Sequence, residues 1–153
     1  MKILQITGYK NSGKTTAVNH MTRWLKGNNH SVAVIKHHHS DDVVMTNRTD
    51  SESYTRSGAD YSILNTPNTS MQVKRESPDL EDQLDRLNKA GIEFVLIEGY
   101  KELEYPKVFM SYSFKKGHTN VDNIGLRNVL KTFDIRYDGE TIMNWFKEWS
   151  SDI

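Results

Sequence analysis

Ile3-Leu4-Gln5-Ile6-Thr7-Gly8-Tyr9-Lys10-Asn11-Ser12-Gly13-Lys14-Thr15-Thr16 is the stretch from which the rest of the chain can be read. Its apolar run stops at Gly8, and Val18, Met21 and Leu25 then recur at helical spacing as far as Gly27-Asn28-Asn29. This pattern predicts a buried strand, a loop, and a helix that begins close to Lys14. The loop, Gly8 through Thr15, fits G-x-x-x-x-G-K-[ST] in full. At ordinary glycine usage an unrelated chain of this length would contain that pattern on the order of 1 % of the time. A strand before it and a helix after it are the setting the motif requires.

The chemistry explains the residue types. Gly8 and Gly13 let the backbone fold tightly, so that amides along Asn11, Ser12 and Gly13 turn inward toward phosphate oxygens. The helix start adds its positive dipole end. Lys14 supplies a point charge to the β- and γ-phosphates, Thr15 offers its hydroxyl to Mg²⁺, and Thr16 can bond the α-phosphate. A phosphate-bound Mg²⁺ normally takes a further protein oxygen from the end of a neighbouring apolar strand. Phe94-Val95-Leu96-Ile97-Glu98-Gly99 has that layout, with Glu98 where aspartate is more usual. The extra methylene suggests a water-mediated contact or a catalytic-water role for Glu98. Lys14, by its charge, and Glu98, through a water, are therefore the catalytic candidates, and Thr15 and Glu98 the candidates for the metal side.

Working outward, Val32-Ala33-Val34-Ile35 reads as a second strand, and residues 61–64 and 71–73 as two short strands joined through Pro67-Asn68. Asp50 can cap a short helix reaching about Ser57. Ser77-Pro78 predicts another helix, with Ser77 as cap, Pro78 at the first position, and Leu80, Leu84 and Leu87 on one stripe. The continuous run Phe94–Ile97 predicts a central parallel strand covered on both faces. Val108 to Phe114 suggests a further strand. Gly139 to Trp149 predicts a closing helix with Ile142, Trp145, Phe146 and Trp149 on its core face. Strand and helix alternate as in an α/β domain, and the fold expected is P-loop NTPase-like, a mostly parallel or mixed sheet flanked by helices. One nucleotide-binding domain over residues 1–153 is the corresponding organisation.

Composition removes other classes. Lys and Arg number 20 against 20 Asp and Glu, which argues against a cationic nucleic-acid coat. No run approaches the ~20 apolar residues of a membrane span, and no apolar segment follows the start as a secretion signal would. The chain has no cysteine, hence no disulfides, thiolate metal sites or thiol nucleophiles. A cytoplasmic protein is expected. The balanced charge is nonetheless uneven: Lys2, Lys10, Lys14, Arg23, Lys26 and Lys36 precede the first acidic residue at Asp41. Residues 76–104 carry nine acidic groups against Arg86, Lys89 and Lys101. An N-terminal segment that prefers an anion, opposed by an acidic segment holding Glu98, suits a triphosphate with its metal ion.

His37-His38-His39 is a second conspicuous feature, since neutral imidazole is a metal ligand and extended backbone puts His37 and His39 on one face. A polar loop beside the phosphates accounts for it better than a dedicated metal site, which without cysteine would need carboxylates such as Asp41 or Asp42. Asp41 and Asp42 can order a water or a hydrated Mg²⁺ there. Tyr100-Lys101 and Pro106-Lys107 follow Glu98, and exposed lysines beside such a site can contact an anionic ligand, though a solvated loop accounts for them equally well.

With these pieces assembled, the chain resembles the MobB family of small GTP-binding proteins of molybdenum-cofactor biosynthesis. The resemblance rests on GYKNSGKTT at residues 8–16, on Ile35-Lys36-His37-His38-His39, and on Asp50-Ser51 with Tyr54, Arg56 and Gly58-Ala59. Leu96-Ile97-Glu98-Gly99-Tyr100-Lys101 and Pro106-Lys107 complete it. It implies GTP and Mg²⁺ as ligands, slow hydrolysis at most, and a homodimer. It implies an adaptor that assists attachment of GMP to molybdopterin alongside a separate MobA-type nucleotidyltransferase. The phosphates fall to Gly8, Asn11, Ser12, Gly13, Lys14, Thr15 and Thr16, the metal to Thr15 and Glu98, and a second polar cluster to His37, His39, Asp41 and Asp50. No N-K-x-D segment occurs, so the guanine preference comes from the resemblance. Slow turnover agrees with the absence of an obvious glutamine after the nucleotide strand, with Arg56 the nearby candidate finger. Two rival functions share the loop: a small metabolite kinase, which would need an acidic base and a basic lid, and a nickel-type metallochaperone using the histidines.

Overall fold

The computed structural model describes residues 1–38, 53–55, 57–111 and 125–151. The chain forms two compact units, one from Met1–His38 with Asp85–Ile153 and one from His39–Leu84.

The larger unit is built on a five-stranded sheet of β1 (Lys2–Gly8), β2 (Val32–Lys36), β5 (Phe94–Glu98), β6 (Lys107–Met110) and β7 (Val129–Phe133). The strands lie in the order β2-β5-β1-β6-β7, and all four pairings are parallel. β5 is buried along its whole length, as its unbroken apolar run predicts. Helix α1 (Lys14–Gly27) buries Ala17, Val18, Met21 and Leu25. With Ile142 and Phe146 of the last helix, α3 (Ile135–Ser151), these close over Leu4, Ile6, Phe94, Leu96, Val108, Met110 and Phe133. Trp24 meets Phe146 edge-on at 5.9 Å, and Trp145 and Trp149 pack at the margin of the same core. The aromatic stripe of α3 is thus core, as its spacing predicts.

In the smaller unit β3 (Tyr61–Asn65) and β4 (Ser70–Lys74) form an antiparallel ribbon, in register from Tyr61↔Lys74 to Asn65↔Ser70. Helix α2 (Leu80–Lys89) links the two units.

Three boundaries differ from expectation. α2 starts at Leu80, and its cap is Asp79, not Ser77: the Asp79 carboxylate accepts the Asp82 amide at 3.1 Å. A carboxylate beside the helix start also complements the dipole, which a serine cannot do. α3 starts four residues before Gly139, because Asp134 accepts the Arg136 amide and Asp138 accepts the Asp134 amide in return. Strand β7 was not expected. Only Phe133 is buried along it, so its sequence lacks the apolar alternation that marks a strand. Of the strand expected over 108–114, β6 ends at Met110 and residues 112–124 lie outside the described part.

Candidate functional site

The loop between β1 and α1 lies at the carboxyl edge of the parallel sheet, where ligands of open α/β sheets bind. Two left-handed residues shape it, Asn11 at φ 60° and Gly13 at φ 85°. Gly13 occupies the cap position of α1 without any side-chain cap, and the first turn of that helix holds no acidic residue. The first amides of α1 and its positive dipole end are consequently left for an anion. Gly8 is glycine for a reason beyond the loop: a Cβ there would stand 2.2 Å from the Met110 carbonyl oxygen.

Lys14 arches back over the loop, donating to the carbonyls of Gly8, at 3.3 Å, and Tyr9. Burial lowers its pKa, Glu98 opposes that shift, and Lys101 and Lys36 reinforce it. Glu98 is 7 % exposed at the end of β5, with the Thr15 hydroxyl 3.1 Å from each of its carboxylate oxygens. Lys36, its register partner on β2, reaches it at 3.4 Å. An octahedral Mg²⁺ with ligands at about 2.1 Å spaces neighbouring ligand oxygens about 3 Å apart, the spacing these two side chains hold. Ser12 is 1 % exposed, and its hydroxyl oxygen has no hydrogen-bond partner among the described residues. These donors fit a phosphate chain with its metal ion.

The segment after Glu98 is fixed from inside the sheet. Gln5 of β1 and Lys107 of β6 are register partners and fully buried. The Gln5 amide donates to the carbonyls of Gly99, at 2.7 Å, and Tyr100. The Lys107 ammonium donates to the carbonyls of Lys101, at 3.4 Å, and Leu103, and burial lowers its pKa against the pull of Glu104 and Glu102. Lys107 is therefore a support of this turn, contrary to its reading as an exposed anion contact. Lys101 is exposed and close enough to Lys14 to affect its charge.

The structure thus brings together Gly8 to Thr16, Lys36, Glu98 and Lys101. His37 lies beside them, its ring stacked on Tyr100 with centroids 4.2 Å apart and its amide bonded to the Glu98 carbonyl at 2.9 Å. His39, Asp41, Asp42, Asp50 and Arg56 fall outside the described residues. Among the described residues no cluster of three metal-ligating side chains occurs, and no helix is long and apolar enough to cross a membrane.

A groove of about 610 Å³ opens next to the loop, between α1 and α3. Thr16, Ala17 and His20 form one wall, and Glu140, Met143 and Asn144 are among the residues of the other. Sequence reading assigned none of the α3 residues to a site. The pairing of helices 120 residues apart leaves no local signal.

The profile of the family described as "Molybdopterin guanine dinucleotide synthesis protein B", MobB, matches residues 3–126. A Methanocaldococcus jannaschii protein, provisionally named a molybdopterin-guanine dinucleotide biosynthesis adapter protein, is 36 % identical over 114 residues. That match spans 72 % of this chain and 47 % of the relative. The Haemophilus influenzae protein of that name is 31 % identical over 110 residues, 71 % of this chain and 62 % of its own. The matches thus span about half to three-fifths of these relatives. The crystal structure of a MobB homolog from Bacillus stearothermophilus superposes with a TM-score of 0.69 at 23 % identity, covering 97 % of this chain and 99 % of that one. Bacillus subtilis MobB gives 0.68 at 26 % identity, covering 86 % of this chain and 77 % of its own. The mostly parallel sheet flanked by helices is the fold of these proteins, and the chain belongs to the MobB family.

Proposed function

We propose that this chain is an adapter protein of molybdopterin-guanine dinucleotide biosynthesis that binds GTP with Mg²⁺ on residues 8–16. The observation that carries the nucleotide reading is the Thr15–Glu98 pair at the head of an uncapped helix, with Lys14 over the loop. Lys14 and the loop amides balance the triphosphate charge, and Thr15 and Glu98 hold the ion. Bound Mg²⁺ supplies charge neutralisation between the phosphates. The sequence has no obvious water-positioning glutamine after the nucleotide strand, so in this reading hydrolysis is slow and the bound nucleotide acts as a signal more than as a fuel. The names of the relatives support the pathway. A MobA-type nucleotidyltransferase and a molybdopterin intermediate are the partners in this reading.

Self-association as a homodimer belongs to the same proposal. A two-stranded ribbon is marginal alone in water, and Tyr61, Ile63, Leu64 and Met71 of β3 and β4 are exposed large apolar residues. A second copy would cover them.

Calorimetric titration of the Lys14→Ala protein with Mg-GTP tests the nucleotide reading. Loss of a charge-assisted contact costs about 2–3 kcal/mol, so Kd should rise roughly 30- to 150-fold. Unchanged affinity would overturn it.

A further inference from the structure

The groove between α1 and α3 begins at Thr16, the residue directly after the proposed metal-side Thr15. A nucleotide with its phosphates on the loop therefore has this groove adjoining its sugar and base. Both helices follow parallel strands, so both start at the carboxyl edge of the sheet. Its volume lies within the range of sites for small organic ligands. The buried Ala17 and Ile142 and the half-buried Met143 supply apolar surface for a flat ring. Around them stand the exposed polar groups of His20, Glu140, Asn144 and Lys147.

Glu140 decides which ring. A carboxylate only accepts hydrogen bonds. Guanine presents two adjacent donors, N1–H and the 2-amino group, whereas adenine presents an acceptor at N1 and has no 2-amino group. A carboxylate placed to meet guanine N1–H and the 2-amino group would meet the N1 lone pair of an adenine seated the same way, whose amino donor lies at C6 instead. Asn144, one helical turn beyond Glu140, carries an amide that can donate to guanine O6.

We infer that this groove is the nucleoside subsite and that Glu140 is its guanine-selecting residue. The inference rests on the proposed nucleotide site, and its residues on α3 lie beyond the part of the chain that the family profile matches.

Calorimetry with Mg-GTP, Mg-ATP and inorganic tripolyphosphate, on the full chain and on Glu140→Ala, separates the two readings. Glu140 is exposed, so its removal leaves the core intact. The unaltered chain should prefer GTP to ATP. In Glu140→Ala, GTP should bind roughly 10- to 100-fold more weakly, the scale of a lost base-reading contact. ATP and tripolyphosphate should bind as before. An unchanged GTP-to-ATP ratio with tripolyphosphate still bound would overturn the subsite and leave the phosphate loop standing. Failure of the unaltered chain to bind either nucleotide or tripolyphosphate would overturn both.

Discussion

Replacing Gly8 with alanine tests whether the phosphate loop is anchored to the sheet. The added Cβ would lie 2.2 Å from the Met110 carbonyl oxygen, 2.8 Å from Met110 Cβ and 3.0 Å from its carbonyl carbon. Backbone and a β-carbon cannot swing aside as a side-chain tip can, so β1 and β6 must separate by most of an ångström. These are neighbouring strands whose register pairs Gly8 with Met110, and Met110 is fully buried. Gly8 also sits at φ 147°, where a residue with a Cβ is strained by about 1–3 kcal/mol. Overpacking a well-packed core adds about 1–3 kcal/mol more. The sum is roughly 2–6 kcal/mol, which for a domain of this size corresponds to a melting temperature lower by about 4–24 °C. Gly139→Ala is the control, because the same Cβ there meets nothing within 4 Å in a helix interior. It should gain about 0.5–1 kcal/mol. Scanning calorimetry reads both. Melting of Gly8→Ala within 2 °C of the unaltered chain, set as the refuting threshold at about 1 kcal/mol or less, would show that the strands are not held this closely.

Lys107→Met should leave the carbonyls of Lys101 and Leu103 without their buried donor, at about 1–3 kcal/mol each, and raise hydrogen exchange in residues 101–104 ahead of the rest of the sheet. Uniform exchange across the sheet would refute its role as a local support. Glu93 accepts hydrogen bonds from the Ser31 amide and from His30, which hold its carboxyl down at about 2 against an ordinary 4.5. A depressed folded-state pKa means stability that is complete above pH 4.5 and is lost as the pH falls toward 2. Denaturant unfolding across that window should show a shallower acid decline in Glu93→Gln, and identical slopes would refute the assignment.

The part of the fold that is local in sequence was legible. An apolar run, a glycine-flanked loop and a 3.6-residue stripe each carry their own period, so β1, α1, β5 and the core face of α3 could be placed directly. What depended on pairing could not. Lys36 meets Glu98 only because β2 and β5 are neighbours in register, and Gln5 meets Lys107 only because β6 lies beside β1. β7 earned no prediction because an edge strand with one buried residue needs little hydrophobic pattern. Gly139 misplaced the start of α3, since the stronger signal was the pair of aspartates, Asp134 accepting the Arg136 amide and Asp138 the Asp134 amide. The phosphate loop was readable because its chemistry requires glycine, lysine and threonine at fixed spacing. The groove beside it was not, because its walls come from opposite ends of the chain.

The three longer helices among the described residues begin differently. α2 and α3 each start at an aspartate that satisfies an amide. α1 starts at Gly13 with no such group. A cap there would be worth about 1 kcal/mol, and its omission ties the folding equilibrium to whatever anion the surroundings supply. If the proposed function holds, variation that tightened α1 by itself would make the protein hardier and at the same time deafer to nucleotide. Sequence drift at Gly13 is thus restrained by its left-handed backbone at φ 85° and, on the proposed function, by the ligand as well, while drift at Asp79 and Asp134 is restrained by the fold alone.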